Sequence, residues 1–227
     1  NECEQKTDFF DKQSVERLHK MYNNYTFDNF VNDLTNSNLS NMDLLNKKVG
    51  ITTKFWWEKH IGIIEDKNIL EVGCGVNYLV PYWLYNKNIV TAFDISKEAV
   101  FLLKDIITNL RLPVDNLELF VCDVEQLNID KKFDIISISN VLHHIDNKSK
   151  VLHKLKSMLK EEGKILIVEP NYFYPFRWMV ETNLFGRLNL VKLFFENNYL
   201  IEKNEKAIIF KELKNILVSL DYKIDIN

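Results

Sequence analysis

A short apolar run that ends in two closely spaced glycines constrains this chain more than any other feature. Residues 68–75 read Asn-Ile-Leu-Glu-Val-Gly-Cys-Gly, and an apolar segment of helical character follows them. This order predicts a buried strand that feeds a tight turn, with a helix opening directly after the turn. Glycine has no Cβ, so the turn at Gly73 and Gly75 would let the backbone approach a ligand closely.

A second apolar run, residues 89–93, follows about twenty residues later and ends in Asp94. An acidic residue at the end of the second strand of such a strand–helix–strand unit usually binds ribose hydroxyls. Asp94 would accept from both hydroxyls, because one carboxylate has two oxygens for two donors. Together with the glycine turn, this spacing indicates an adenosine-containing cofactor. The dinucleotide pattern G-x-G-x-x-G fits poorly, because Tyr78 stands in place of its third glycine. A site for another nucleotide such as NAD stays an alternative.

Five segments, in the expected order, closely resemble the motifs of class I S-adenosylmethionine-dependent methyltransferases. They are residues 69–75 (ILEVGCG), 90–96 (VTAFDIS), 119–124 (LFVCDV), 133–145 (FDIISISNVLHHI) and 163–171 (GKILIVEPN). The chain departs from the family pattern at Asn77, where a third glycine often stands, but asparagine tolerates a positive φ. The resemblance implies S-adenosyl-L-methionine as the cofactor and methyl transfer as the activity.

The resemblance also implies which residues bind the sugar and methionine parts of the cofactor. Backbone amides around Gly73, Cys74 and Gly75 would meet the carboxylate and the sugar, because this turn opens a helix N-terminus. Glu71 would hydrogen-bond the backbone or the ammonium group nearby, and a purely structural role for it stays open. Ile95, in the segment of the second-strand acid, is assigned to the same site.

On the adenine side, the resemblance points to the end of the third strand. Asp123 would accept from the adenine amino group, and Val124 would offer its backbone amide to the ring. The alternative for Asp123 is a local one, because an aspartate that follows a strand also caps helices.

The acceptor side of the site is expected after the fourth strand. Asn140 would lie near the sulfonium and the acceptor, and it is a catalytic candidate together with His143. Neutral imidazole suits proton removal from a hydroxyl or an amine. Packing at a helix start is the alternative for His143 and His144, and turn chemistry is the alternative to acceptor contact for Glu169. No metal site is expected, because the histidines lack a Cys or carboxylate partner at metal-ligand spacing.

Composition narrows the class of partner. The formal net charge is −3 and no Lys/Arg cluster is visible, which argues against nucleic acid as the partner. No apolar run reaches the roughly 18 residues of a membrane-spanning helix, and the three cysteines show no disulfide or zinc spacing, so a cytoplasmic enzyme is expected. We expect a small, apolar or aromatic methyl acceptor. A catalytically inactive accessory or sensor subunit that only binds the cofactor stays an alternative.

The fold class predicted is α/β, with a doubly wound, mostly parallel sheet. Residues 1–62 would form an N-terminal helical cap, and residues 63–227 a Rossmann-like domain with an aromatic-rich insertion at 172–199. That insertion would wall an acceptor pocket, pack the cap onto the sheet, form a homodimer contact, or provide a membrane surface. Strands are predicted near 68–72, 89–94, 117–121, 133–139, 164–169 and 221–226, and helices near 77–87, 96–110, 147–160 and 205–219.

Overall fold

The computed structural model describes residues 11–12, 62–76, 79–169 and 210–224. Of the helical cap predicted at 1–62 it therefore covers only Asp11, Lys12 and Gly62, and the insertion predicted at 172–199 lies outside the described residues. The chain divides into two compact units. The described residues up to Ile138 and the segment Leu155–Leu166 belong to the first unit, and the remaining described residues belong to the second.

Five strands form one sheet in the order β3-β2-β1-β4-β5. Strand β1 pairs in parallel with both β2 and β4, and β2 pairs in parallel with β3. This arrangement confirms the predicted doubly wound, mostly parallel sheet. The strands are β1 (Asn68–Val72), β2 (Ile89–Asp94), β3 (Leu117–Val121), β4 (Phe133–Ser139) and β5 (Leu159–Val168).

The described helices connect and follow these strands. They are α1 (Leu79–Tyr85), α2 (Lys97–Asn109), α3 (Lys148–Ser157) and α4 (Phe210–Ser219). Helix α2 begins at Ser96, whose side chain accepts a hydrogen bond from the Ala99 amide, and it packs against β2 and β3. Its apolar face is buried through Leu103 and Ile106, so burial of one stripe fixes the helix on the sheet.

Three predicted elements differ from the structure. Strand β5 begins at Leu159 rather than near 164, and helix α3 ends at Ser157. Gly163 lies inside β5, where an added Cβ would meet the Phe133 carbonyl oxygen at 2.9 Å. The strand predicted at 221–226 is also wrong over the described residues, because 221–224 form a turn and irregular backbone.

The register of the first three strands brings their carboxyl ends to one edge of the sheet. Val72 pairs with Phe93, and Asp94 pairs with Val121. Two further bonds continue these ladders beyond the strands, since the Cys74 amide donates to the Phe93 carbonyl at 3.0 Å and the Cys122 amide to the Asp94 carbonyl at 2.9 Å. The pairing of β1 with β2 therefore places the glycine turn next to Asp94, the acid at the end of β2.

Candidate functional site

The turn after β1 has the backbone conformation that its glycines suggest. Gly73 has φ +63° and Gly75 has φ +49°, and both values lie in the left-handed region that side chains disfavour. An ideal Cβ built on Gly75 would have no heavy atom of the described residues within 4 Å apart from its own chain neighbours, so these residues leave open space beside the turn. The turn is thus shaped for a close approach of backbone to a ligand.

Asp94 joins this turn to the start of helix α2. One carboxylate oxygen accepts from the Gly75 amide at 2.7 Å, and the other accepts from the Ser96 amide at 2.8 Å. The two bonds orient the carboxylate at the strand end, which is the position expected for a ribose-binding acid.

Glu71 is buried completely inside the sheet layer. Its carboxylate accepts from the Trp83 indole nitrogen of α1 at 2.9 Å, and it lies beside Ser137, its register partner on β4. Burial raises the pKa of Glu71 to about 7, while the hydrogen bond from Trp83 opposes that rise. The indole was missed in the sequence, although a buried Trp N–H generally needs a partner.

Cys74 is a small buried residue within the turn. Its side chain has no exposed surface, and its backbone amide already donates to the Phe93 carbonyl. Burial raises the pKa of the Cys74 thiol well above its usual range, and the nearby carboxylates of Asp94 and Glu71 add to that rise. Of the three turn residues predicted to meet the cofactor, Cys74 therefore contributes packing. Ile95, between Asp94 and the helix cap, is partly exposed.

Asp123 organises the loop after β3. Its side chain accepts from the Glu125 amide at 2.9 Å, and its carbonyl accepts from the Gln126 amide at 2.9 Å. This is the local role that an aspartate plays when it starts a turn. Val124 is buried in the same turn. Assignment of Asp123 and Val124 to adenine remains a prediction.

In the second unit, Asn140 marks the end of β4 with an unusual backbone. Its φ is +56°, and its amide donates to the Val168 carbonyl of β5 at 2.8 Å. Its side chain is exposed. Asparagine is one of the few residues that adopt this conformation at modest cost, and such outliers cluster at functional sites.

Glu169 holds the turn that follows Asn140. One of its oxygens accepts from the amides of Val141 and Leu142, at 2.8 and 2.7 Å, and the other lies 2.7 Å from His143 Nδ1. Both side chains of the His143–Glu169 pair are buried, with exposures of 1% and 5%. The carboxylate is an acceptor, so Nδ1 carries the hydrogen, and in the neutral ring Nε2 is the basic nitrogen. Glu169 thus stabilises the turn at Val141 and Leu142, whereas the turn at 169–171 that the sequence left as an alternative extends outside the described residues.

The described residues contain neither a metal-binding cluster nor a membrane-spanning helix. No group of three or more His, Cys, Asp or Glu side chains in this part of the chain could hold a metal ion. None of its helices is both long enough and apolar enough to span a bilayer.

Comparison with known sequences gives a consistent result over the same strands. A family described as a methyltransferase domain matches residues 70–165. The chain is 30% identical over 100 residues to a malonyl-[acyl-carrier protein] O-methyltransferase of Priestia megaterium, covering 43% of this chain and 35% of that protein. It is 28% identical over 104 residues to a ubiquinone biosynthesis O-methyltransferase of Glaesserella parasuis, covering 44% of each. It is also 30% identical over 115 residues to a tRNA U34 carboxymethyltransferase of Pseudoalteromonas atlantica, and this match covers 49% of this chain and 35% of that protein. The chain spans less than half of the length of each of these relatives.

Solved structures share the fold. The magnesium protoporphyrin IX methyltransferase of Synechocystis, with bound SAH, superposes with a TM-score of 0.60 at 14% identity, covering 94% of this chain and 86% of that one. The YcgJ protein of Bacillus subtilis superposes with a TM-score of 0.55 at 17% identity, and this match covers 73% of this chain and 65% of that one. The matched sequence and the shared fold coincide on the strands that carry the motifs, so residues 70–165 of this chain match the sequence of a methyltransferase domain and lie in a sheet with the fold of known methyltransferases.

Proposed function

We propose that this chain binds S-adenosyl-L-methionine and transfers its methyl group to a small, apolar or aromatic acceptor. The observation that carries the proposal is a pair of hydrogen bonds at the carboxyl edge of the sheet, which the Asp94 carboxylate accepts from the amides of Gly75 and Ser96. These bonds orient the proposed ribose-binding acid beside the glycine turn, where the described residues leave open space next to Gly75.

The residues at this edge fit the cofactor. The Gly75 side of the turn would lie against the sugar and methionine part, and Asp94 would accept from the ribose hydroxyls. Asp123 and Val124 would serve the adenine ring. Glu71, whose carboxylate is oriented by Trp83, would act from beneath the turn, so we propose for it an electrostatic rather than a direct contact with the ammonium group.

When bound, the cofactor supplies the activated methyl group itself, so the protein mainly has to align the acceptor with it. Alignment of two reacting groups can supply on the order of 7–11 kcal/mol. For an acceptor that loses a proton, we assign the proton to His143 Nε2, because Glu169 fixes Nδ1 as a donor. Asn140, held in a strained backbone at the end of β4, would contribute its exposed amide to positioning the acceptor.

A small acceptor is favoured by the net charge and by several relatives. The formal charge of −3 offers little attraction to a phosphate backbone. The relatives include enzymes named for malonyl-[acyl-carrier protein] and for ubiquinone biosynthesis. Others are named for tRNA and for ribosomal RNA, which makes RNA the second candidate acceptor. The proposal includes a cytoplasmic location, because neither of the two cysteines in the described part of the chain, Cys74 and Cys122, forms a disulfide, as is usual in reducing compartments.

Isothermal titration calorimetry tests the cofactor assignment. The wild-type chain should bind S-adenosylmethionine and its demethylated product but not NAD, and Asp94→Ala should weaken both by about 10²-fold or more, since two charge-assisted hydrogen bonds are lost. Asp130→Ala, at an exposed position, is the matched control. Normal binding by the Asp94 variant would refute the assignment.

Turnover with a methyl-labelled cofactor tests the reaction and the acceptor. Label should pass to a component of a metabolite extract and not to total RNA. Label in RNA would favour the second candidate. Binding of the cofactor without transfer to any fraction would favour the accessory or sensor role.

A further inference from the structure

Asp11 reaches the start of helix α2 from far away in the sequence. Its carboxylate oxygen Oδ1 accepts from the Ser96 hydroxyl at 2.6 Å and from the Glu98 amide at 3.2 Å. The two partners are 85 and 87 residues further along the chain, and all three residues belong to the first unit. A carboxylate at this place is favourable, because a helix N-terminus carries partial positive charge.

Ser96 links Asp11 to the ribose-binding acid. Its hydroxyl donates to Asp11 and accepts from the Ala99 amide at 3.1 Å, so the side chain is held from two directions. Its backbone amide donates to Asp94 at 2.8 Å, and Asp94 in turn holds the Gly75 amide at 2.7 Å. Asp11 is therefore two hydrogen bonds away from the Asp94 carboxylate.

We propose that Asp11 is a positioning residue of the cofactor site, which acts through Ser96 on the orientation of Asp94. This inference rests on the proposed function. A carboxylate that must meet two ribose hydroxyls loses affinity when its own orientation is free, because ligand binding must then also order it. By fixing the Ser96 side chain, Asp11 keeps the Ser96 amide aimed at Asp94 before a ligand arrives.

The same coupling must operate in the opposite direction. If Asp11 strengthens cofactor binding, the bound cofactor strengthens the bonds of Asp11 by the same factor. Amide hydrogen exchange at Ser96 and Glu98 should therefore slow when the cofactor is bound. In the absence of any cofactor, exchange at Glu98 should already be faster in Asp11→Ala than in wild type, because that amide has lost its acceptor.

Calorimetry on the full chain supplies the main test. Asp11→Ala should raise the dissociation constant for S-adenosylmethionine by about tenfold, which corresponds to one hydrogen bond to a charged group. Asp11→Asn keeps an oxygen acceptor in the same place and should recover most of that loss. Ser96→Ala should reproduce the Asp11→Ala effect, and the double variant should be no weaker than either single one, because both remove the same link.

Two matched controls separate positioning from general stability. Lys12→Ala changes the exposed neighbour of Asp11 and should leave the dissociation constant unchanged. Leu103→Ala removes a fully buried side chain from α2 and should lower stability without moving the dissociation constant.

The outcomes distinguish the two ideas. If Asp11→Ala binds within about twofold of wild type while Asp94→Ala fails to bind, the inference is wrong and the proposed function stands. If Asp11→Ala weakens binding only as much as Leu103→Ala does, Asp11 is merely structural and the inference is again wrong. If the wild-type chain does not bind S-adenosylmethionine, both the inference about Asp11 and the proposed function are wrong.

Discussion

Replacing Glu71 by Gln is expected to stabilise this chain near pH 8 and to change its stability little near pH 4. Glu71 is buried completely, and burial raises its pKa from 4.5 to about 7. Gln keeps an oxygen that can accept from the Trp83 indole nitrogen, which donates to Glu71 at 2.9 Å. The substitution therefore removes the charge and preserves the contact, so any pH-dependent difference reports the cost of ionising the buried acid.

The sign follows from proton binding in the two states. Between pH 4.5 and about 7 the folded chain keeps the Glu71 proton and the unfolded chain has lost it, so stability falls as pH rises. Below that window both states are protonated, and above it the penalty is complete. A rise of about 2.5 pKa units, from 4.5 to about 7, corresponds to about 3 kcal/mol of lost stability. This slope is opposite to that of a carboxylate held by a salt bridge.

Urea unfolding at several pH values between about 4 and 8 measures the effect. The free energy of unfolding of Glu71→Gln minus that of wild type should grow from near zero to about 3 kcal/mol across this range. Glu161→Gln, at an exposed position of β5, is the matched control and should show no such growth. A difference that stays constant from pH 4 to 8 would show that Glu71 is not forced to ionise inside the folded chain.

Four further substitutions have defined outcomes. Gly75→Ala should cost about 1–2 kcal/mol in urea unfolding, because φ is +49°, and it should also weaken cofactor binding, since the new Cβ projects into open space. Trp83→Phe should lower stability by about 1–3 kcal/mol more at pH 8 than at pH 4, because ionised Glu71 loses its donor. If His143 is the base, His143→Gln should reduce kcat by about 10²–10⁴-fold with the KM for the cofactor unchanged. Glu169→Gln should alter the pH profile of kcat, and an unchanged profile would remove Glu169 from the mechanism.

The sheet could be predicted from the sequence because its signals are local. A strand buried on both faces is a continuous apolar run, and a lysine or an asparagine directly precedes each of the first four strands. The predicted limits 68–72, 89–94, 117–121 and 133–139 agree with β1 to β4. The ends of these strands also contained the candidate residues, since ligands bind at the carboxyl edge of such sheets.

The start of β5 could not be predicted because its cause is not local. Three of the four residues 159–162 are charged, and Leu159 continues the helical spacing of the apolar residues in α3. In the structure the Phe133 amide donates to the Met158 carbonyl at 2.9 Å, and Lys160 forms an ion pair with Asp134 at 2.8 Å. Contacts with the distant strand β4 therefore override the local preference and draw these residues into the sheet.

The candidate site shows the same division between local and distant causes. The residues at the strand ends could be predicted from the sequence, but their hydrogen-bond partners could not. Glu169 and His143 are 26 residues apart in the sequence, and Asp11 and Ser96 are 85 residues apart. The acids Asp94 and Glu169 each accept from at least two protein donors. An acid that is already oriented loses less freedom when a ligand arrives, so these internal bonds would increase affinity without touching the ligand. Variants of the supporting residues should therefore weaken binding or catalysis as clearly as variants of the motif residues themselves.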